Sequence, residues 1–114
     1  MRVAIAGAGK VGRSIARELI ANGHQVQLID RDPSKAGALS STGEVLDVLI
    51  GDTCEISILD QANLSSCQVL VAATGDDKVN LVVSLLAKTE YGVPRVVARV
   101  NHPKNEWKIG RAHV

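Results

Sequence analysis

An α/β architecture with a doubly wound parallel sheet is predicted from three features of this 114-residue chain. Five short, β-branched apolar runs recur along it, amphipathic helical patterns separate them, and the first run leads straight into a cluster of glycines. Phe is absent, and Trp107 and Tyr91 are the only aromatics although 46% of residues are hydrophobic. The core must therefore be built from Val, Ile, Leu and Ala, which suits a parallel sheet buried by helices.

The runs at 3–6 (VAIA), 26–29 (VQLI), 45–50 (VLDVLI), 69–73 (VLVAA) and 96–100 (VVARV) predict five strands, each ending near Gly, Asp or Thr. After the first, Val11, Ile15, Ala16, Leu19 and Ile20 share one helical face, and Asn22-Gly23 supplies a stop. After the second, a helix is expected from about Pro33, a residue suited to a first turn, to about Ser41. A shorter helix is expected over EISILDQAN, residues 55–63. The longest runs from about Asp77 to Tyr91, with Val79, Val82, Val83, Leu86 and Ala87 on one face and Gly92 and Pro94 beyond its end. Right-handed crossovers between parallel neighbours then give the strand order 3-2-1-4-5, with a crevice above the first strand.

The chain has room for one domain with a single core, so any chemistry must share it. Thirteen basic and twelve acidic residues, spread along the chain for a net charge of +1, leave no electrostatic footprint for nucleic acid and no polybasic membrane patch. No run approaches the roughly 20 apolar residues of a membrane span, so no direct membrane insertion is expected. Cys54 and Cys67 form no CxxC, and no signal-peptide pattern opens the chain, so a cytoplasmic location with two free thiols is expected. The domain is expected to span 1–107 and to stop short of a sixth strand. NHPKNEW reads as the start of a further helix, and KIGRAHV, residues 108–114, breaks the pattern and resembles the in-frame translation of a sequencing-library adapter. It is read as a non-native tail.

The chemistry gathers where strands end. GAGKVG follows a strand and opens a helix, the context that a dinucleotide fingerprint requires. Gly7 would make the tight turn, Gly9 would let Ala8, Lys10 and Val11 bring backbone close to a pyrophosphate, and Gly12 would let helix and strand touch. The helix N-terminus adds unpaired N–H donors and about half a positive charge. Asp30, eighteen residues after Gly12 at the end of the second strand, is placed to accept from both ribose hydroxyls, and its charge argues against a 2′-phosphate. This is a Rossmann-like pattern. Arg31 is read as tolerating such a phosphate, stacking on adenine, or simply solvated.

Asp52 and Thr53 would bound an adenine pocket, and Thr74 with the Gly75 backbone would line the crevice beyond the pyrophosphate. Asp76 or Asp77 is read as the N-cap of the long helix. Lys10 and Arg99 are the cations best placed to meet phosphate, a salt bridge to a nearby carboxylate being the alternative for Arg99. Catalytic groups are harder to find. His24, His102 and His113 read as surface histidines, and Tyr-x-x-x-Lys, GxSxG and metal-ligand spacings are all missing. The cradle is read as built for binding and not for turnover, and Asp30→Ala is expected to weaken NAD(H) binding without altering the fold.

From Met1 to Trp107 the chain resembles the N-terminal nucleotide-binding part of the RCK (KTN) family. The stretches that carry the resemblance are MRVAIAGAGKVGRSIARELI, VQLIDRD, VLIGDTCEISILDQANLSSCQVLVAATGDDKVNLVVSLLAK and VVARVNHPKNEW. It implies a domain that binds NAD or NADH, or alternatively ATP or ADP, and assembles as a homo-oligomer, a dimer or a higher ring. It also implies docking on the cytoplasmic face of an integral-membrane potassium-translocating subunit of a bacterial transporter, as a regulator of uptake. By the same resemblance Gly7 through Val11 would hold phosphates, Asp30 ribose, Asp52 and Thr53 adenine, and Arg99 phosphate. Lys10 occupies a variable position, which leaves ATP against NAD open. The alternative is the N-terminal cofactor domain of an NAD-dependent dehydrogenase.

Overall fold

The computed structural model describes residues 1–37 and 46–105. Strands β1 (Arg2–Ala6), β2 (Gln25–Asp30), β3 (Val48–Ile50), β4 (Val69–Ala72) and β5 (Arg95–Ala98) form one sheet in the order β3-β2-β1-β4-β5, parallel throughout. Helices α1 (Lys10–Ala21), α2 (Ile56–Gln61) and α3 (Asp77–Thr89) supply the crossovers among the described residues. The strand order is the one that the sequence predicts.

Alternation along β1 divides the core. Val3 and Ile5 point to one face, where they pack with Ala16 of α1 and with Leu28, while Ala4 and Ala6 point to the other, among Leu59, Leu70, Val83 and Val96. Each large apolar side chain fully buried here contributes about 1.5–3 kcal/mol, so the two layers hold the sheet from both sides. The small Ala4, Ala6 and Ala72 at the centre, all fully buried, let the helices approach the sheet closely.

Three elements differ from expectation. The helix expected over 33–41 is a single 3-10 turn, Pro33–Lys35, and Ala36 is already extended at φ −61° and ψ 135°. The Asp32 carboxylate accepts the Ser34 N–H at 3.0 Å and starts that turn, but the residues behind it place no buried side chain to propagate a helix. Residues 38–41, like Val45 of the expected third strand, lie outside the described residues. The helix expected over 55–63 ends at Gln61, because Asn63 takes the left-handed conformation (φ 56°) and a separate 3-10 turn, Leu64–Ser66, follows. The further helix expected from NHPKNEW begins as a 3-10 turn, Pro103–Asn105, and Trp107 and the 108–114 tail lie outside the described residues.

The parallel ladder continues one residue past the strands, and this builds the functional edge. Gly7 N–H donates to Ile29 O (2.7 Å), Gly51 N–H to Asp30 O (2.9 Å), Ala73 N–H to Ala6 O (2.8 Å) and Arg99 N–H to Ala72 O (2.8 Å). The glycine loop, the loop after β3, the loop after β4 and Arg99 therefore leave the sheet along one edge. From β1 the chain runs first toward β3 and later toward β5, so this edge splits above β1.

Candidate functional site

A cleft of about 380 Å³ opens at that split, within the range of small-molecule sites. Its wall follows the order of the strands: Asp52 and Thr53 from β3, Asp30 and Arg31 from β2, Gly7, Gly9, Lys10 and Val11 from β1, Thr74 to Asp76 from β4, and Arg99 from β5. Eleven of the thirteen residues singled out from the sequence line it; Ala8 and Gly12 do not. Ile29, Ala73, Asp76 and Val79 also line it. The first two were legible as flanks of strand ends, and Val79 only as one more apolar position of its helix.

Ala8 and Gly12 shape the loop from beneath. Gly7 adopts φ +111°, and a Cβ there would lie 3.0 Å from the Ala73 carbonyl carbon and the Thr74 nitrogen. Gly12 is forced by packing, since its Cβ would come within 1.9 Å of the Gly7 carbonyl oxygen. At Gly9 a Cβ would meet nothing within 4 Å, so the space above it belongs to the cleft. Buried Ala8 turns its N–H to Asp30 Oδ2 at 2.8 Å, while Asp30 Oδ1 accepts the Asp32 N–H at 2.9 Å. Asp30 thus fixes the glycine loop to the end of β2. Each oxygen keeps a second acceptor position, so the carboxylate can still receive hydroxyl donors.

Two long helices begin at the cleft with different ends. At α1 the N-cap is Gly9, no side chain caps it, and its first turn holds no acidic residue. At α3 the Asp76 carboxylate accepts from Lys78 N–H (2.9 Å) and Val79 N–H (3.4 Å), and Asp77 adds a negative charge to the first turn. Of these two helix ends, α1 is therefore the one that offers an anion an uncompensated dipole. Of the two candidate caps, Asp76 is the cap, and Asp77 instead binds Asn101 N–H (2.7 Å) and His102 N–H (2.9 Å).

Elsewhere on the wall, Asp52 Oδ1 accepts the Cys54 N–H at 2.8 Å and tightens the turn that carries the nearly buried Thr53. Burial, followed by the Asp52 charge, pushes the Cys54 thiol up from its ordinary range; Asp76 acts in the same direction, and the Thr53 hydroxyl and Arg31 oppose it. Three carboxylates (Asp30, Asp52, Asp76) and three cations (Lys10, Arg31, Arg99) share the wall. Among the described residues no group of three His, Cys, Asp or Glu could hold a metal ion. The residue that sequence reasoning missed is Asn80 of α3, fully buried beneath Thr74. Its only signal is a polar side chain on the apolar face that also carries Val83 and Ala87.

Residues 3–114 match the family model of the TrkA-N domain. The chain is 57% identical over 112 residues to the Trk system potassium uptake protein TrkA of Mycobacterium tuberculosis, covering 98% of this chain and 50% of that protein. It is 38% identical over 117 residues to a TrkA homolog of Methanothermobacter thermautotrophicus, covering 100% and 53%. The chain thus spans about half the length of these curated relatives. Among solved structures, the AMP-bound Kef CTD of Shewanella denitrificans is 27% identical with a TM-score of 0.82, over 97% of this chain and 66% of that one. The GsuK channel bound to NAD is 26% identical with a TM-score of 0.84, over 99% and 20%. GsuK bound to ADP is 26% identical with a TM-score of 0.83, over 97% and 28%.

Proposed function

The chain belongs to the TrkA-N domain family, and from that premise we propose that it is the nucleotide-sensing part of a regulatory subunit of a bacterial potassium transporter. The ligand is NAD or NADH, with ADP or ATP as the other adenine nucleotides of the same chemistry. Its adenine lies by Asp52 and Thr53, its ribose on Asp30, and its phosphates over Gly7 to Val11 at the open end of α1. Lys10 and Arg99 neutralise phosphate charge, Arg31 flanks the adenosine, and Thr74 and Gly75 meet whatever lies beyond the diphosphate. The observation that carries this reading is the pairing of an uncapped helix end with an adjacent carboxylate already bound to the loop before it. The AMP-, ADP- and NAD-bound relatives support the ligand class.

The regulatory reading follows from what the cleft is made of. Its wall offers binding groups from every strand end, and among the described residues that line it there is no histidine or tyrosine; its one lysine, Lys10, is taken here as a phosphate contact. A ligand bridging β1 to β5 shifts an assembly only by its preference for one arrangement over another. A tenfold preference, about 1.4 kcal/mol, already biases a balanced equilibrium strongly. No helix among the described residues is long and apolar enough to cross a membrane. In this reading the transporter's integral-membrane subunit supplies the pore, and copies of the domain assemble against its cytoplasmic face.

Calorimetric titration of NAD, NADH, ADP, ATP and AMP into the chain tests the proposal. Saturable binding of at least one, lost in Asp30→Ala, is the expected result. Heat signals absent for all five, or steady oxidation of NADH by a 2-hydroxy- or 2-keto-acid panel, would overturn it.

A further inference from the structure

The geometry points to Asn80 as the positioning residue of the distal half of the cleft, acting on bound nucleotide through Thr74 and Arg99; the inference rests on the nucleotide reading above. Asn80 is fully buried, and all of its side-chain hydrogen-bonding capacity goes to two loops of the wall. Oδ1 accepts the Thr74 N–H at 3.0 Å and the Thr74 hydroxyl at 2.6 Å. Nδ2 donates to the Thr74 carbonyl at 3.1 Å and to the Arg99 carbonyl at 3.0 Å. Two of these partners are backbone carbonyls and one is a backbone N–H, so their polarity leaves a single orientation for the amide.

One side chain therefore ties the exit of β4 to the exit of β5. Beyond β5 no further strand stands among the described residues, and the ladder between these two exits ends at the bond from Arg99 N–H to Ala72 O (2.8 Å), so Asn80 carries the tie past the strands. A second tie runs parallel to the first. The Thr74 carbonyl also accepts Asn101 Nδ2 at 3.1 Å, and Asp77 Oδ1 accepts that same Nδ2 at 2.9 Å. The consequence for Thr74 is specific: its hydroxyl has two acceptors inside the wall, Asn80 Oδ1 at 2.6 Å and the more distant Asp76 carbonyl at 3.1 Å, and its oxygen accepts the Asp76 N–H at 3.2 Å. Thr74 thus serves the cleft as a fixed turn and not as a hydroxyl donor. The adenosine end of the wall, at Asp30 and Asp52, makes no hydrogen bond to Asn80. Loss of Asn80 should act on a ligand only as far as that ligand reaches past β1.

The test compares AMP, which ends at the glycine loop, with NAD, which continues toward Thr74 and Arg99. In Asn80→Asp the oxygen that receives Thr74 is kept, while the donor to the two carbonyls is replaced by an acceptor. By calorimetry NAD affinity should fall at least tenfold and AMP affinity by less than about twofold. Equal losses for both ligands would reduce Asn80 to a general folding role, and unchanged NAD affinity would remove any role; either overturns the inference. Should the variant not fold, NMR titration of the wild-type chain decides. NAD should shift the Asn80 side-chain amide and the Thr74 N–H while AMP shifts only the glycine-loop amides, and an unmoved Asn80 amide under saturating NAD overturns the inference. If the wild-type chain binds none of NAD, NADH, ADP, ATP and AMP, the nucleotide reading itself fails, and binding of the mononucleotides without NAD overturns this inference alone.

Discussion

The Ala8 N–H donates to Asp30 Oδ2 at 2.8 Å, so the carboxylate proposed to hold a ribose also anchors the loop proposed to hold the phosphates. One residue couples the two half-sites, and its orientation is set without ligand, since Oδ1 accepts the Asp32 N–H at 2.9 Å. Preorganisation of this kind lowers the ordering cost on binding.

Asp30→Ala therefore has two effects where the sequence alone predicts one. Beyond weakening NAD binding by at least about tenfold, it leaves two backbone N–H groups without their acceptor and should lower stability by about 1–3 kcal/mol. Urea unfolding checks the second effect. Asp30→Asn keeps one acceptor oxygen and should fall between the alanine variant and the wild type in both measurements.

Two glycines of the same loop should behave in opposite ways. Gly12→Ala drives a methyl to within 1.9 Å of the Gly7 carbonyl oxygen, a backbone contact that cannot yield cheaply, and should cost about 3 kcal/mol of stability. Gly9→Ala meets no atom within 4 Å and should change stability by less than about 1 kcal/mol. Gly9 lines the cleft, so nucleotide affinity should drop while the unfolding curve barely moves.

What was legible in the sequence is what local pattern encodes. The five apolar runs, the crossovers and Asp30 follow from periodicity and from spacing after the glycines, and they place most of the wall. Asn80 was not legible, because its meaning depends on Thr74 and on Arg99, six and nineteen residues away, meeting over one helix. The choice between Asp76 and Asp77 as cap is left open by the sequence for a similar reason: only the arrival of Asn101 and His102 shows what Asp77 binds. The overlong second helix came from reading Pro33 as a start without asking what apolar face would carry it past Lys35.

Tyr91 offers a pH test outside the cleft. Its hydroxyl meets Asp60 Oδ1 at 2.7 Å and the Ile56 carbonyl at 3.1 Å, joining the end of α3 to α2. Burial first, then the hydrogen bond to Asp60 and the charges of Asp60 and Glu90, push the phenol from 10.0 up to about 12. The folded state thus retains a proton that the unfolded chain loses first. The stabilisation is fully present below about pH 10 and disappears as pH rises toward 12. Tyr91→Phe should cost about 0.5–1.5 kcal/mol at pH 7, and the gap to wild type should close across that alkaline window in denaturant titrations.

Cys54 reports the electrostatics of the cleft wall beside Asp52. Its thiol is held up by burial and by the Asp52 carboxylate, so at pH 8 its thiolate fraction is below that of an unhindered cysteine and iodoacetamide should modify it slowly. Asp52→Asn removes the charge while keeping an oxygen to receive the Cys54 N–H, which leaves the turn intact. Alkylation at Cys54, mapped by mass spectrometry to separate it from the buried Cys67, should then accelerate several-fold. A rate that ignores residue 52 would mean that burial, the first cause, outweighs the Asp52 charge at this thiol.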